Sequence, residues 1–278
     1  MGNALILGIS SDIGHEIADH WLSRGFQVSG TFRSQTDITR RLHRKGIKLF
    51  QLDLLSPKSI DDFIKNYRLS KSSWDYLIVC PGTMLPIGPF KTIDFNIWKE
   101  SLTVNLVAPL EIVQQLLPFG SLIKKKPLIV FISGGGTNGA PHNFSSYVIG
   151  KIALLKATEI LDAELNDFRT VIFGPGWIKT KIHEEVLLSK ESAPKAFKET
   201  KRRLLNDDFT PIESVTSFID WAVEQSKEVL AGRNFSSRDD PWGYEPFTSQ
   251  LLKDPSLLKL RRNTKSADSY KENETETK

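Results

Sequence analysis

Short apolar runs alternate along the chain with longer segments whose apolar residues recur at helical spacing. The short runs predict strands and read ALILG, FQVSGTF, IKLFQLD, DYLIVC, PLIVFIS, RTVIFG and a weaker EVLAG. The longer segments predict helices and read IGHEIADHWLSRG, DITRRLHRKG, SIDDFIKNYRL, FNIWKESLTVNLVAPLEIVQQLL, SSYVIGKIALLKATEILDAELN and PIESVTSFIDWAVEQSK. This alternation predicts an α/β fold with a doubly wound parallel sheet, which binds ligands at the carboxyl ends of its strands.

Two segments depart from this alternation. Residues 177–205 contain many Lys and Glu and no strand pattern, which predicts a helical flap, at about 177–210, over the sheet edge. Residues 261–278 contain almost nothing apolar and mix both charges, which predicts a disordered tail. Residues 1–260 are expected to form one domain.

Composition narrows the class of protein. The 278 residues are 40% hydrophobic and carry a net charge of +4, and the basic residues form no stripe, so nucleic acid is not an expected partner. The single cysteine, Cys80, excludes a cysteine-based zinc cluster and fits a reducing compartment. The first predicted strand begins near Met1, so a secretory signal is not expected, and no apolar run has the length of a membrane span. Ile6 occupies the position at which a myristoylation signal has Ser or Thr, so lipidation is not expected either. A cytoplasmic location without a membrane partner is expected.

A small-residue turn joins the first strand to the first helix. In LILGISSDIGHEIA, Gly8 permits a tight turn, Gly14 permits close packing of helix on strand, and Ser10 and Ser11 add hydroxyl donors. The free N–H groups of the turn and the positive end of the helix dipole favour an anion such as a pyrophosphate. An ordinary strand–turn–helix without a ligand is the alternative.

A tyrosine and a lysine share one helix face. Tyr147 and Lys151 are four residues apart in SSYVIGKIALLKA. A phenol has a pKa of about 10, and a neighbouring ammonium can lower that pKa toward the range needed for acid–base catalysis. Such a pair also occurs on helices where the two side chains only pack.

These motifs together resemble the short-chain dehydrogenase/reductase family, in its small single-domain branch, over roughly residues 3–232. The resemblance implies a Rossmann fold with strand order 3-2-1-4-5-6-7 and a hydride exchange with a carbonyl or secondary alcohol. It implies Tyr147 as the acid–base group, Lys151 as a ligand of the nicotinamide ribose, and Asn105 in TVNLVAP as a water-binding link in a proton relay. By the same resemblance, the turn in FGPGWIKT contacts the nicotinamide with Pro175, Gly176, Ile178 and Thr180, and Ile13 belongs to the phosphate turn.

The chain departs from the family pattern at three places. Asp12 replaces the middle glycine of the phosphate turn, where it either repels a pyrophosphate or caps the helix, and we favour the cap. In VCPG, which replaces the family's NNAG, Gly82 alone is retained. The position of the family's substrate-orienting serine is occupied by Gly134, so the neighbouring Ser133 can orient the substrate only if the strand end kinks. The SGGG motif resembles a subgroup of the family, some members of which are linked to sugar or surface-polysaccharide biosynthesis.

The end of the second strand indicates the cofactor. An acidic residue there would reject a 2′-phosphate, whereas this chain has Phe32 followed by Arg33, which favours NADP(H) over NAD(H). A solvated arginine is the alternative. Asp53 and Leu54 match the family's adenine contact, although Asp53 could instead cap the next helix.

The leading hypothesis is therefore an NADP(H)-dependent oxidoreductase, and the alternative is an NADP(H)-binding sensor or scaffold without turnover. A sugar epimerase or dehydratase ranks third. The basic residues of the flap are explained either by an anionic or sugar-linked substrate or by a solvated helix face. A homodimer or homotetramer is expected. The basic residues are Lys179, Lys181, Lys190, Lys195, Lys198, Lys201, Arg202 and Arg203. His142 and His183 have no metal-ligand spacing, so no metal is expected.

Overall fold

The computed structural model describes residues 2–122 and 125–262. Seven strands form one parallel sheet of order β3-β2-β1-β4-β5-β6-β7, which confirms the predicted fold class and strand order. The strands are β1 (Asn3–Leu7), β2 (Gln27–Phe32), β3 (Lys48–Gln51), β4 (Tyr76–Val79), β5 (Leu128–Ile132), β6 (Arg169–Gly174) and β7 (Asn234–Ser236).

Helices connect the strands and cover both faces of the sheet. Up to β5 they are α1 (Asp12–Ser23), α2 (Asp37–Arg44), α3 (Pro57–Leu69), α4 (Phe95–Leu102) and α5 (Ala108–Leu116). After β5 they are α6 (Ser145–Glu164), α7 (Ile182–Leu188), α8 (Pro194–Asn206), α9 (Glu213–Glu224), α10 (Lys227–Leu230) and α11 (Glu245–Lys253).

Two apolar cores lie on opposite faces of the sheet. Successive side chains of a strand point to opposite faces, so Ala4 and Ile6 enter one core while Leu5 and Leu7 enter the other. Because both faces are buried, the strands read as continuous apolar runs rather than as an alternating pattern. This explains why runs such as ALILG and PLIVFIS were recognisable as strands.

The predicted last strand was wrong. The run EVLAG lies in α10 and the turn that ends it, and the strand follows at Asn234–Ser236. Ser226 caps α10 by accepting from the N–H of Val229, and Ala231 and Gly232 then adopt positive φ angles of 41° and 66°. Local capping therefore made a short helix of a segment whose composition suits a strand.

The long helical segment between β4 and β5 is interrupted. Residues Thr103–Val107 form a π-helical turn between α4 and α5. Pro109 follows it, and a proline ring crowds the carbonyl four residues earlier, here that of Asn105. By length and composition alone, Phe95–Phe119 could cross a membrane, but one such helix is weak evidence because core helices of water-soluble proteins pass the same test.

The predicted disordered tail, 261–278, falls outside the described residues from 263 onward. Arg261 is described, and its guanidinium contacts both carboxylate oxygens of Glu159 on α6 at 2.9 and 2.6 Å. Arg261 therefore packs against the domain.

Candidate active site

A cavity of about 1070 Å³ opens at the carboxyl ends of the strands. This is where a doubly wound sheet binds its ligands, and the volume suits a dinucleotide together with a small substrate. Most of the predicted site residues line it, namely Gly8, Ser10, Ser11, Ile13, Arg33, Asp53, Leu54, Gly82, Ser133, Tyr147, Lys151, Pro175, Gly176, Ile178 and Thr180. Gly14 and Asn105 are buried next to this cavity and do not line it.

The turn after β1 has the features predicted for a phosphate site. Gly8 has a φ of 71°, which favours glycine. A Cβ atom on Gly14 would overlap the carbonyl oxygen of Gly8 and lie 2.9 Å from the Ser11 hydroxyl, so the helix can approach the strand this closely only with glycine. Ser11, Asp12 and Ile13, at the start of α1, line the cavity, so the turn is placed where an anionic ligand can bind the end of the helix.

Asp12 does not cap α1, which corrects the sequence interpretation. Ser11 is the cap, and its Oγ accepts from the N–H of Gly14 at 3.0 Å. Asp12 is the first residue of the helix, and its Oδ2 accepts from the backbone N–H of Lys181 at 2.6 Å. The Asp12 carboxylate therefore connects the phosphate turn to the chain segment that leads into α7.

Arg33, Asp53 and Leu54 line the end of the cavity formed by β2 and β3. Arg33 is exposed, which fits both a ligand of a 2′-phosphate and a solvated arginine. The alternative role of Asp53 as a helix cap is wrong, because Ser56 caps α3 by accepting from the N–H of Ser59 at 3.2 Å. Asp53 instead accepts from the N–H of Leu55 at 3.0 Å within its own loop.

Tyr147 and Lys151 lie side by side on the buried face of α6 and both line the cavity. Lys151 Nζ donates to the carbonyl oxygen of Ile132 at 2.9 Å, and burial lowers the pKa of Lys151 to about 8. Burial raises the pKa of Tyr147 to about 12, and the carboxylate of Glu185 adds to this increase. Burial and Glu185 therefore act in the direction opposite to the lowering of the phenol's pKa that the sequence predicted.

Gly134 faces Tyr147, whereas Ser133 lies against β6. A Cβ atom on Gly134 would overlap the Tyr147 hydroxyl and lie 3.1 Å from Cγ of Lys151. Ser133 still pairs with β6, since its N–H donates to the carbonyl of Phe173 at 2.8 Å. Its Oγ lies 3.2 Å from the Cβ position of Gly174, and Ser133 lines the cavity, so its role in orienting a substrate stays a prediction. The tyrosine hydroxyl thus occupies space that a serine at 134 would need.

Asn105 holds the loop after β4 from behind the cavity wall. Its Oδ1 accepts from the N–H of Thr83 at 3.1 Å, and its Nδ2 donates to the carbonyl of Thr83 at 2.9 Å. A Cβ atom on Gly82 would lie 3.3 Å from Asn105 Oδ1 and 3.4 Å from Lys151 Nζ. The glycine of VCPG therefore keeps the backbone close to both side chains, and Asn105 ties the next residue, Thr83, to the helical segment that follows α4.

Glu185 is a cavity residue that the sequence analysis missed. It lies on α7, and its carboxylate accepts from Thr83 Oγ1 at 3.1 Å and from the N–H of Met84 at 2.6 Å. Burial raises its pKa. In the sequence, Glu184 and Glu185 are adjacent acids with the same chemistry. Which of them points inward depends on the burial of His183 and Val186 on the same helix, which the sequence does not reveal.

The basic residues of the flap mostly face away from the cavity. Among those named above, Lys181 alone lines the part of the cavity that the structure describes. Lys179 pairs with Asp207 at 3.1 Å, and Arg202 and Arg203 both pair with Glu199. These pairs favour the interpretation of the flap charges as a solvated helix face.

His183 has a structural role. Its ring stacks on Trp177 with centroids 4.8 Å apart, and its Nε2 lies 2.9 Å from the carbonyl oxygen of Ile178. Burial lowers its pKa, so it stays neutral near pH 7. His142 is exposed. Neither histidine is joined to a group of potential metal ligands in residues 2–122 and 125–262.

Comparison with known proteins agrees with this geometry. A family model described as short chain dehydrogenase matches residues 2–191. The human protein named dehydrogenase/reductase SDR family member 2, mitochondrial, is 27% identical over 203 residues, covering 70% of this chain and 71% of its own. Benzil reductase ((S)-benzoin forming) of Bacillus subtilis is 24% identical over 212 residues, covering 73% and 84%.

Two solved structures share the fold. A short-chain dehydrogenase/reductase of Saccharomyces cerevisiae superposes with a TM-score of 0.76 at 21% identity, covering 87% of this chain and 98% of its own. A Shigella flexneri short-chain dehydrogenase complexed with NADP has a TM-score of 0.70 at 18% identity, covering 85% and 96%. Because the family model spans most of the chain and the sheet has the expected order, the chain belongs to the short-chain dehydrogenase family and is an NAD(P)-dependent oxidoreductase.

Proposed function

We propose that this protein interconverts a carbonyl compound and a secondary alcohol with NADP(H), and that Tyr147 is its acid–base group. The observation that carries the proposal is the placement of Tyr147 beside Lys151 in the wall of the cavity, one turn apart on α6. The bound nicotinamide would supply or accept the hydride. The benzil reductase relative acts on a diketone according to its name, which agrees with a small carbonyl substrate.

The chain's own residues would bind the cofactor and move one proton. Tyr147 gives its proton to the carbonyl oxygen during reduction and takes one from the alcohol during oxidation. Lys151 keeps two N–H donors beyond the one that binds Ile132, and these can hold ribose hydroxyls. Its positive charge stabilises the phenolate when that forms. Asn105 acts on the reaction indirectly, by fixing the loop that carries Thr83.

Tyr147→Phe tests the acid–base role, because it removes the proton and keeps the ring. We expect turnover of an accepted ketone to fall about 10²- to 10⁴-fold while NADPH affinity changes less than about threefold. Tyr67→Phe is the matched control: that hydroxyl is buried without a hydrogen-bond partner among the described residues, so its removal should leave turnover unchanged. Steady-state kinetics beside a fluorescence titration with NADPH gives both quantities, and full activity of Tyr147→Phe would refute the mechanism.

The preference for NADP(H) rests on Arg33. A guanidinium at the end of β2, exposed and in the cavity wall, can form charge-assisted bonds with a 2′-phosphate worth about 1.5–3 kcal/mol, which is roughly 10- to 150-fold in affinity. Arg33→Ala should remove most of the difference between NADPH and NADH. Arg40→Ala, which changes an arginine paired with Asp37, should keep that difference. Equal affinities in the unmutated protein would contradict the assignment.

A sensor without turnover is the second candidate. The observations that favour it are the raised pKa of Tyr147, to about 12, and the glycine at position 134, where the family's orienting serine is expected by resemblance. A sensor would bind NADPH with an affinity insensitive to Tyr147→Phe and would reduce no ketone in a broad screen. An oxidoreductase would lose NADPH absorbance with at least one ketone.

A dimer or tetramer is the proposed assembly. Large apolar side chains are exposed on the α4–α5 and α6 helices, namely Phe95, Ile97, Val107, Ile149 and Ile160. Such residues on neighbouring helices favour a protein–protein contact. Sedimentation equilibrium would decide, and a monomer at micromolar concentration would exclude this assembly.

A further inference from the structure

A third apolar cluster stands apart from the two sheet cores. It consists of Ile87, Val186 and Ala193 with Met84, Phe144 and Ala196 packed against them. Four of its members, Met84, Phe144, Val186 and Ala196, line the cavity, and Tyr147 lines the same cavity. They come from the loop after β4, the segment before α6, and the two flap helices α7 and α8. These four side chains therefore give the cavity apolar walls on this side, next to polar lining residues such as Thr83 and Glu199.

Glu185 places a carboxylate among these apolar walls. Its oxygens accept from the Thr83 hydroxyl at 3.1 and 3.2 Å and from the Met84 N–H at 2.6 Å. These donors are neutral, and none of the ion pairs within residues 2–122 and 125–262 includes Glu185, so its negative charge has no cationic side chain in contact. That charge acts on Tyr147, whose pKa it helps to raise.

Three cationic side chains, those of Arg33, Lys151 and Lys181, line the cavity, and none of them contacts Glu185 within the described residues. Lys151 Nζ is buried and donates to the carbonyl of Ile132. Arg202 and Arg203 are paired with Glu199. Arg33 lies at the β2 end, where the cofactor's adenosine would bind, and its charge lowers the pKa of Glu185 against the effect of burial. Lys181 precedes Glu185 by four residues and is exposed. Because none of these cations neutralises Glu185 by contact, a substrate carboxylate or phosphate placed beside it would meet a like charge.

We propose that the substrate is an uncharged, apolar ketone or the corresponding alcohol, and that Glu185 rejects anionic carbonyl compounds. This inference rests on the proposed function and replaces the anionic or sugar-linked substrate suggested by the flap lysines. Glu185 acts here as a specificity residue: its neutral isostere would keep the contacts to Thr83 and Met84 and lose the repulsion.

A matched pair of probes tests the inference, namely methyl 4-acetylbenzoate and 4-acetylbenzoate. They share the reacting ketone and differ by one charge at the far end of the ring. With NADPH, kcat/KM of the unmutated enzyme should be at least about tenfold higher for the ester. Glu185→Gln should reduce this ratio to about threefold or less, chiefly by raising kcat/KM for the carboxylate. Glu184→Gln, which changes the exposed neighbour on the same helix, should leave the ratio unchanged.

A binding experiment separates this inference from the proposed function. The Tyr147→Phe variant with bound NADPH should bind the ester more tightly than the carboxylate, by a ratio of affinities similar to the ratio of kcat/KM above. Calorimetry measures both affinities, whether or not the unmutated enzyme turns the compounds over. Equal binding of the two compounds, no binding of the ester, or a ratio unaltered by Glu185→Gln would overturn the inference. Binding with the expected ratio but no turnover in the parent enzyme would overturn the proposed function alone.

Discussion

At the residue scale, the spacing of Tyr147 and Lys151 was sufficient to predict that they share a face, because helix geometry fixes that relation. The spacing could not predict their pKa values, which depend on how completely the rest of the chain buries them. Burial raises the pKa of the tyrosine and lowers that of the lysine, so it moves the two values apart. The inward position of Glu185 was likewise invisible, since its neighbour Glu184 has the same chemistry.

The lowered pKa of Lys151 predicts a loss of activity at alkaline pH. A lysine whose pKa is lowered from 10.5 to about 8 loses its proton as pH rises through 8, and a neutral amine no longer stabilises the phenolate. Tyr147, with a pKa of about 12, remains protonated over this range. We therefore expect kcat/KM for NADPH in the reducing direction to be constant below about pH 7 and to decline above about pH 8. A profile that stays level to pH 9.5 would show that the Lys151 charge is not needed.

At the element scale, the turn between β1 and α1 shows what a motif predicts and what it leaves open. The small residues predicted a close strand–helix approach, which Gly8 and Gly14 make. Two adjacent residues, Ser11 and Asp12, were both able to cap the helix, and the backbone conformation at Ser11 decided between them. Because the flap is distant in sequence, nothing local indicated that Asp12 would accept from Lys181.

Substitutions at these two positions should therefore affect different elements. Ser11→Ala should lower the free energy of unfolding by about 1 kcal/mol, the usual cost of losing a helix cap. Asp12→Ala should leave the cap bond in place and remove the acceptor of the Lys181 N–H, so amide hydrogen exchange should accelerate in the segment that leads into α7.

Exchange measured by mass spectrometry on peptides covering residues 177–188 and 9–20 checks this assignment. Ser11→Ala provides the internal comparison, since it should change exchange in the second peptide more than in the first. Unchanged exchange around Lys181 in Asp12→Ala would mean that the carboxylate does not hold the flap segment.

At the scale of the whole molecule, the alternation of apolar runs and helical segments predicted the sheet and its order, because strands buried on both faces leave a clear pattern. The last strand was misplaced because β7 is only three residues long, too short for a periodic signal. Its position depends on tertiary contacts instead. Arg233, next to β7, is 1% exposed, and its guanidinium donates to carbonyl oxygens that lie in three separate segments.

Arg233 joins α10, α11 and the coil after it to the sheet edge through five side-chain hydrogen bonds. Its Nε donates to Leu257, Nη1 to Glu228 and Val229, and Nη2 to Leu251 and Asp254. Replacing it with methionine would fill much of the volume but leave these carbonyls without their donor, and each buried acceptor left unsatisfied costs about 1–3 kcal/mol.

Because water can reach part of this set once the guanidinium is gone, we expect Arg233→Met to lower the free energy of unfolding by about 2–4 kcal/mol in urea denaturation. Arg238→Met is the control: Arg238 is exposed and, among the described residues, pairs only with its neighbour Asp239, so its loss should cost less than about 0.5 kcal/mol. A loss below about 1 kcal/mol for Arg233→Met would mean that apolar packing, rather than the arginine, holds the carboxyl-terminal elements against β7.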